Sequence, residues 1–120
     1  MVNKPKRQGT AWESTLVNIA HSFGFGDAER LAEGGMHDLG DIRIPRDTDD
    51  FIIEAKHRDR LKVHEEVQNA RIKARRGGAY SAVIWKRTTK KAGNDKRSQV
   101  GVPIVCMDIE TFMLLIGGKI

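Results

Sequence analysis

Residues 40–56 read GDIRIPRDTDDFIIEAK. Two short apolar runs, Ile42-Arg43-Ile44 and Phe51-Ile52-Ile53, flank a polar stretch with Pro45 at its rim, the pattern of two strands joined by a turn. A hairpin symmetric about Asp47 and Thr48 puts Asp41 directly opposite Glu54. Side chains alternate along a strand, so Phe51, Ile53 and Ala55 point one way and Ile52, Glu54 and Lys56 the other. Glu54 and Lys56 then share a face about 7 Å apart along the backbone, and Asp41 joins them from the neighbouring strand. Two carboxylates brought together repel unless a cation lies between them. A hard divalent ion with oxygen ligands answers that need, Mg2+ first and Mn2+ as its substitute. Lys56 adds a positive charge able to hold a phosphate oxygen or an attacking water. A Glu-x-Lys pair at a strand end is common in itself. Gly40-Asp41 ahead of it and a basic helix behind it give this one weight.

Upstream, TAWESTLVNIAHSF predicts a helix from Thr10, with Trp12, Leu16, Ile19, Ala20 and Phe23 on its apolar face and Gly24 and Gly26 at its end. Residues 1–9 read as a basic flexible tail, and residues 10–120 as a single domain. Residues 27–33 are weakly patterned, a short strand or a turn, and residues 34–40 form a glycine-punctuated loop. Downstream, residues 61–76 predict a second helix. Val63, Val67, Ala70 and Ala74 make its apolar stripe, and His64, Gln68, Arg71 and Arg75 a polar face. Residues 79–87 and 102–108 read as strands. Between them, residues 88–101 carry Lys90, Lys91, Lys96 and Arg97 but almost nothing apolar, which predicts a mobile basic hairpin arm. Asp108 caps a last helix, IETFMLLI, oily enough to close the core or to face another subunit. Helix, strands, helix, strands, helix is the order of an α/β fold with a central mixed β-sheet flanked by helices.

The length of 120 residues suits one compact domain. No apolar run is long enough to span a bilayer, and the opening residues lack the hydrophobic segment of a signal peptide, so a cytoplasmic location is expected. A single cysteine, Cys106, excludes an internal disulfide and reads as a core residue. His21, His37, His57 and His64 have no zinc spacing. The net charge of +5 is unevenly spread. Residues 1–56 hold 7 Lys/Arg against 10 Asp/Glu, whereas residues 57–97 hold 13 against 4. A basic half beside an acidic cluster points to a phosphate-rich polymer held against an acid or metal site. A basic surface with no partner is the plainer alternative.

An acid in the first helix, then Asp41, then Glu54-Ala55-Lys56, then a basic helix carrying Gln68, resembles the PD-(D/E)XK nuclease superfamily and implies its restriction-endonuclease-like core. Lys6-Arg7-Gln8-Gly9 ahead of Glu13, with the small size, is similar to the Holliday junction resolvases of archaeal and phage type. GMHDLGDIRI followed by FIIEAK is similar to small resolvase-like proteins of actinobacterial phages. The resemblance runs from about Lys6 to Ile116, and Gly40 stands where the motif's name has proline. It implies Asp41, Glu54 and the Ala55 carbonyl as metal ligands, Lys56 as the catalytic lysine, and Glu13 approaching the metal from the first helix, directly or through water. Thr10-Ala11-Trp12-Glu13 also reads as a capping box, which would occupy Glu13 locally. Gln68 is either an accessory group reaching the site or an ordinary surface glutamine. Asp38 is a spare ligand or a loop residue, and His57 a phosphate contact or a solvated strand end.

Lys6, Arg7, Arg30, His57, Arg58, Arg60, Arg71, Arg75, Arg76, Lys86, Arg87, Lys90 and Lys91 make up the expected DNA surface. Contacts to backbone phosphates give affinity without base specificity, and no recognition helix or zinc finger is visible. That favours recognition of shape. The expectation is a Mg2+-dependent, structure-selective endonuclease acting on branched DNA, a four-way junction above all. The two-fold symmetry of a junction implies a homodimer. Two alternatives stay open: a flap or duplex nuclease or nickase built on the same metal core, and a non-catalytic DNA-binding module whose acids are structural.

Overall fold

In the computed structural model, residues 4–32, 39–89, 99–100 and 102–119 are described. They form, in chain order, α1 (Lys4–Ser22), β1 (Glu29–Arg30), β2 (Ile42–Ile44), β3 (Phe51–Arg58), α2 (Val63–Arg76), β4 (Tyr80–Thr89), β5 (Gln99–Val100), β6 (Ile104–Cys106) and α3 (Ile109–Leu115). The strands make one mixed sheet in the order β1-β2-β3-β4-β5, with β6 also paired to β4. β3 and β4 run parallel from Phe51↔Tyr80 to Arg58↔Arg87, and the other pairings are antiparallel. A parallel pair needs a crossover, and α2 supplies it. The result is an α/β fold with a central mixed sheet flanked by helices, as the pattern predicts.

The β2–β3 hairpin has the predicted register. Ile42 pairs with Ile53 and Ile44 with Phe51, and the Asp41 N–H donates to the Ile53 carbonyl at 3.0 Å, which brings Asp41 level with Glu54. The alternation of β3 divides the core in two. Ile53 points to the α1 face, where Trp12, Leu16, Ile42 and Ala82 are buried around it. Ile52 points to the α2 face, against Ala74 and Ala79. Ile42, Ile52 and Val83 are fully buried, each contributing about 1.5–3 kcal/mol by leaving water.

Two expectations change at the helices, and of the two readings of the last helix one is excluded. The first helix begins at Lys4, not Thr10, so residues 4–9 are its opening turns. Lys, Arg and Gln are good helix formers, and a proline in the first turn costs nothing in lost hydrogen bonds. Thr10 is therefore interior, and the capping box around Glu13 does not form. On the same helix Trp12, Leu16 and Ala20 are buried, but Ile19 and Phe23 are exposed, because the stripe that meets the sheet is narrower than the apolar pattern. α3 does not close the core: Thr111 is its buried residue, while Ile109, Phe112 and Met113 face outward. Its predicted cap is present, with Asp108 accepting from the Thr111 N–H at 3.0 Å and from its hydroxyl at 2.7 Å.

Of the predicted basic arm, Thr88 and Thr89 continue β4 and pair with Val100 and Gln99. Lys90, Lys91, Lys96, Arg97 and Asp38 lie outside the described residues. Among the described residues no helix is long and apolar enough to cross a membrane.

Candidate active site

The buried charge in this fold is concentrated at one point of the α2 face. β3 places Ile52, Glu54 and Lys56 on that face, and Glu54 is only 7% exposed. Gly40 brings Asp41 beside it with φ at 152°, a backbone conformation essentially restricted to glycine. The Asp41 carboxylate is then fixed from below: its Oδ2 accepts from the Ala55 N–H at 2.8 Å. Burial, then the Asp41 charge, push the Glu54 carboxyl up to about 7, against the opposing pull of Lys73. Such a value marks an acid pair that lacks sufficient positive charge.

α2 completes the site. Glu54, Lys56, Glu66, Asn69, Ala70, Lys73 and Arg76 line a cavity of about 260 Å3. Lys73 Nζ donates to Glu54 Oε1 at 3.1 Å, and Lys56 Nζ lies 3.4 Å from Glu66 Oε2. Arg58 reaches the other Glu66 oxygen at 3.9 Å. Among the described residues no group of three or more His, Cys, Asp and Glu side chains is arranged as a metal cluster. The donor set is two carboxylates with backbone oxygen nearby.

The structure thus brings Asp41, Glu54 and Lys56 together. Glu13 lies on α1, which covers the opposite face, and pairs with Arg30 at 3.5 Å. Gln68 is exposed on the far flank of α2. It lines a groove of about 830 Å3 with Arg71, Arg75, Cys106, Ile109 and Phe112, not the cavity at Glu54. Cys106 is half-buried there rather than in the core. Lys73 and Glu66 are the site residues that sequence reading missed. Their signal was present in helical spacing, since 66, 69, 73 and 76 run as a second stripe beside buried Ala70 and Ala74.

The expected DNA surface divides in the same way. By the parallel register Lys56, Arg58 and Arg87 share the α2 face with Glu54, and Arg76 lines the cavity. His57 and Lys86 face the other side, where the Lys86 ammonium sits 5.4 Å from the centre of the Trp12 ring. Arg71 is within 3.8 Å of Asp108 and 3.4 Å of Glu110, and Arg75 within 2.7 Å of Glu110. These two arginines hold α3 to α2, away from the acid pair. Among the described residues, Arg60 and Arg87 make no ion pair.

The arrangement is a mixed sheet with an acid pair on one face and a helix crossing over it. Among solved structures the chain is similar to Hjc, a Holliday junction resolvase from the archaeal hyperthermophile Archaeoglobus fulgidus, with a TM-score of 0.53 and 20% sequence identity. The match covers 94% of this chain and 98% of that one, so the likeness of fold extends over most of both chains. No protein-family model and no curated protein sequence matches the chain.

Proposed function

We propose that this protein is a metal-dependent DNA endonuclease of the PD-(D/E)XK kind, acting on branched DNA and first of all on four-way junctions. The observation that carries the reading is Asp41 and Glu54 side by side on the strand pair that also holds Lys56, in a chain whose fold is similar to that of a solved resolvase over 94% of its length. Two carboxylates are few for a calcium cage but suit Mg2+, which keeps several waters and takes one or two carboxylates together with substrate phosphate. The raised Glu54 carboxyl supports the same fit, because a divalent ion would supply the missing positive charge. When bound, Mg2+ or Mn2+ would polarise the phosphate and make a water nucleophilic at neutral pH. Asp41, Glu54 and the Ala55 carbonyl would hold it, while Glu13, on the other face and paired with Arg30, stays outside the ligand set.

The chain's own groups do the rest. Lys56, steadied by Glu66, would face the phosphate and stabilise charge as water attacks phosphorus in line. The P–O3′ bond breaks, the leaving oxygen takes a proton, and a 5′-phosphate remains. Arg58, Arg76 and Arg87 would hold backbone phosphates around the cavity. A junction has two strands to cut symmetrically, which the reading meets with a homodimer. Exposed apolar side chains on β6 and α3, among them Val105, Ile109 and Phe112, support an interface of that kind.

The direct test is cleavage of a synthetic four-way junction against linear duplex of the same sequence. The expected result is nicking of the junction in Mg2+ and none in chelator. Equal cleavage of both substrates would give a general nuclease, and no cleavage of either a non-catalytic module. Asp41→Asn should lose cleavage and keep binding, since it removes a negative charge near phosphate. Arg58→Ala with Arg87→Ala should weaken binding and make the slope of log affinity against log salt shallower by about 0.9 per lost contact. An unchanged slope, measured by fluorescence anisotropy, would remove those residues from the interface.

A further inference from the structure

Two lysines line the cavity at Glu54, and they are held differently. Lys56 is engaged by Glu66 at 3.4 Å, on the helix. Lys73 reaches back from the helix to the acid pair itself, 3.1 Å from Glu54 Oε1. Its backbone is firmly placed, one residue before the fully buried Ala74 and three after the buried Ala70. Its side chain is 34% exposed, so the ammonium has room to leave on its flexible four-carbon stem. A carboxylate oxygen that faces an ammonium at this distance cannot also ligate a divalent ion at about 2.1 Å without the two cations repelling each other.

We propose that Lys73 is a displaceable counter-ion of the acid pair, which occupies Glu54 in the metal-free protein and sets the threshold at which a divalent ion loads. The inference rests on the reading of Asp41 and Glu54 as a metal site. It gives this position of α2 a task that Lys56 cannot perform, because Lys56 is already committed to Glu66. A DNA phosphate at the mouth of the cavity would draw Lys73 off Glu54 and favour the ion, so metal and DNA would each strengthen the binding of the other.

Calorimetric titration of the full chain with Mn2+, without DNA, tests the proposal. Lys73→Met should bind about tenfold more tightly than the wild type, while Lys73→Arg, which keeps the charge, should match the wild type within about twofold. Lys73→Gln replaces the methionine variant should that one fold poorly by circular dichroism. Unchanged or weaker affinity in Lys73→Met, or equal tightening in Lys73→Arg, overturns the proposal. Asp41→Asn separates the two levels of the argument. Wild-type binding that Asp41→Asn abolishes leaves the metal site standing even where Lys73→Met changes nothing. Heat that is absent throughout, or indifferent to Asp41→Asn, overturns the metal site and the role of Lys73 together.

Discussion

Glu54→Gln should make the metal-free protein more stable at pH 8, and deaf to added Mg2+. The carboxyl ordinarily titrates near 4.5 and is raised in the fold to about 7, by burial first and by Asp41 second. The folded protein therefore keeps a proton that the unfolded chain has lost between those two values. Stability fully present below about pH 4.5 drains away as pH rises to about 7, and stays lost above it. A shift of that size corresponds to roughly 3 kcal/mol. Glutamine carries no charge to bury, so the variant should recover most of that amount at pH 8 and differ little from the wild type at pH 4.5. Urea unfolding at the two pH values measures both. Mg2+ should stabilise the wild type by mass action and leave Glu54→Gln unmoved. A variant less stable than the wild type at pH 8 would show that the Lys73 contact outweighs burial and repulsion, contrary to the balance argued for this site.

Gly40→Ala should be the most damaging single-methyl change near the site. At a φ of 152° any L side chain is strained, and a Cβ there would collide with Ile52 Cγ2 and lie 3.4 Å from the Ile53 carbonyl. Ile52 is fully buried and cannot swing aside. Backbone strain of about 1–3 kcal/mol and overpacking of similar size together remove roughly 2–6 kcal/mol, a large share of what a small domain possesses. Gly24→Ala is the control. Its φ of 98° is also positive, but nothing lies within 4 Å of the added methyl, so only the backbone part of the loss should appear. Equal urea midpoints for the two variants would show that the contact with Ile52 carries no weight. Relief by Ile52→Val in the Gly40→Ala background would locate the clash directly.

The hairpin and its acids were legible because local rules determine them. Turn chemistry centred the β2–β3 register, and strand alternation then fixed which side chains share a face with Glu54. The stripe of α2 was legible for the same reason, since Ala70 and Ala74 follow from a 3.6-residue period. The flanks of that stripe were not. Residues 66, 69, 73 and 76 border it on one side and 64, 68, 71 and 75 on the other, and nothing local says which side meets Glu54 on β3. That choice belongs to the hand of the β3–α2–β4 crossover, a property of the whole unit. Gln68 was accordingly drawn toward the site, and Lys73 was overlooked. The early start of α1 has another cause, because a run of basic residues reads as solvated tail when charge is weighed ahead of helix propensity.

The clasp between α2 and α3 has a consequence for the end of the chain. Arg71 and Arg75 grip Asp108 and Glu110, while α3 hides little but Thr111. The exposed Arg75–Glu110 pair should contribute about 0–1 kcal/mol and fade as salt rises, and the half-covered Arg71 pairs should weaken less. A helix moored by charge and not by oil opens on its own, well below the free energy that unravels the sheet. Its amides should exchange first, and sooner in 0.5 M salt than in 0.05 M salt. The last helix should thus answer to ionic strength more than the sheet does, and a partner that covered the exposed isoleucines beside it should damp that response.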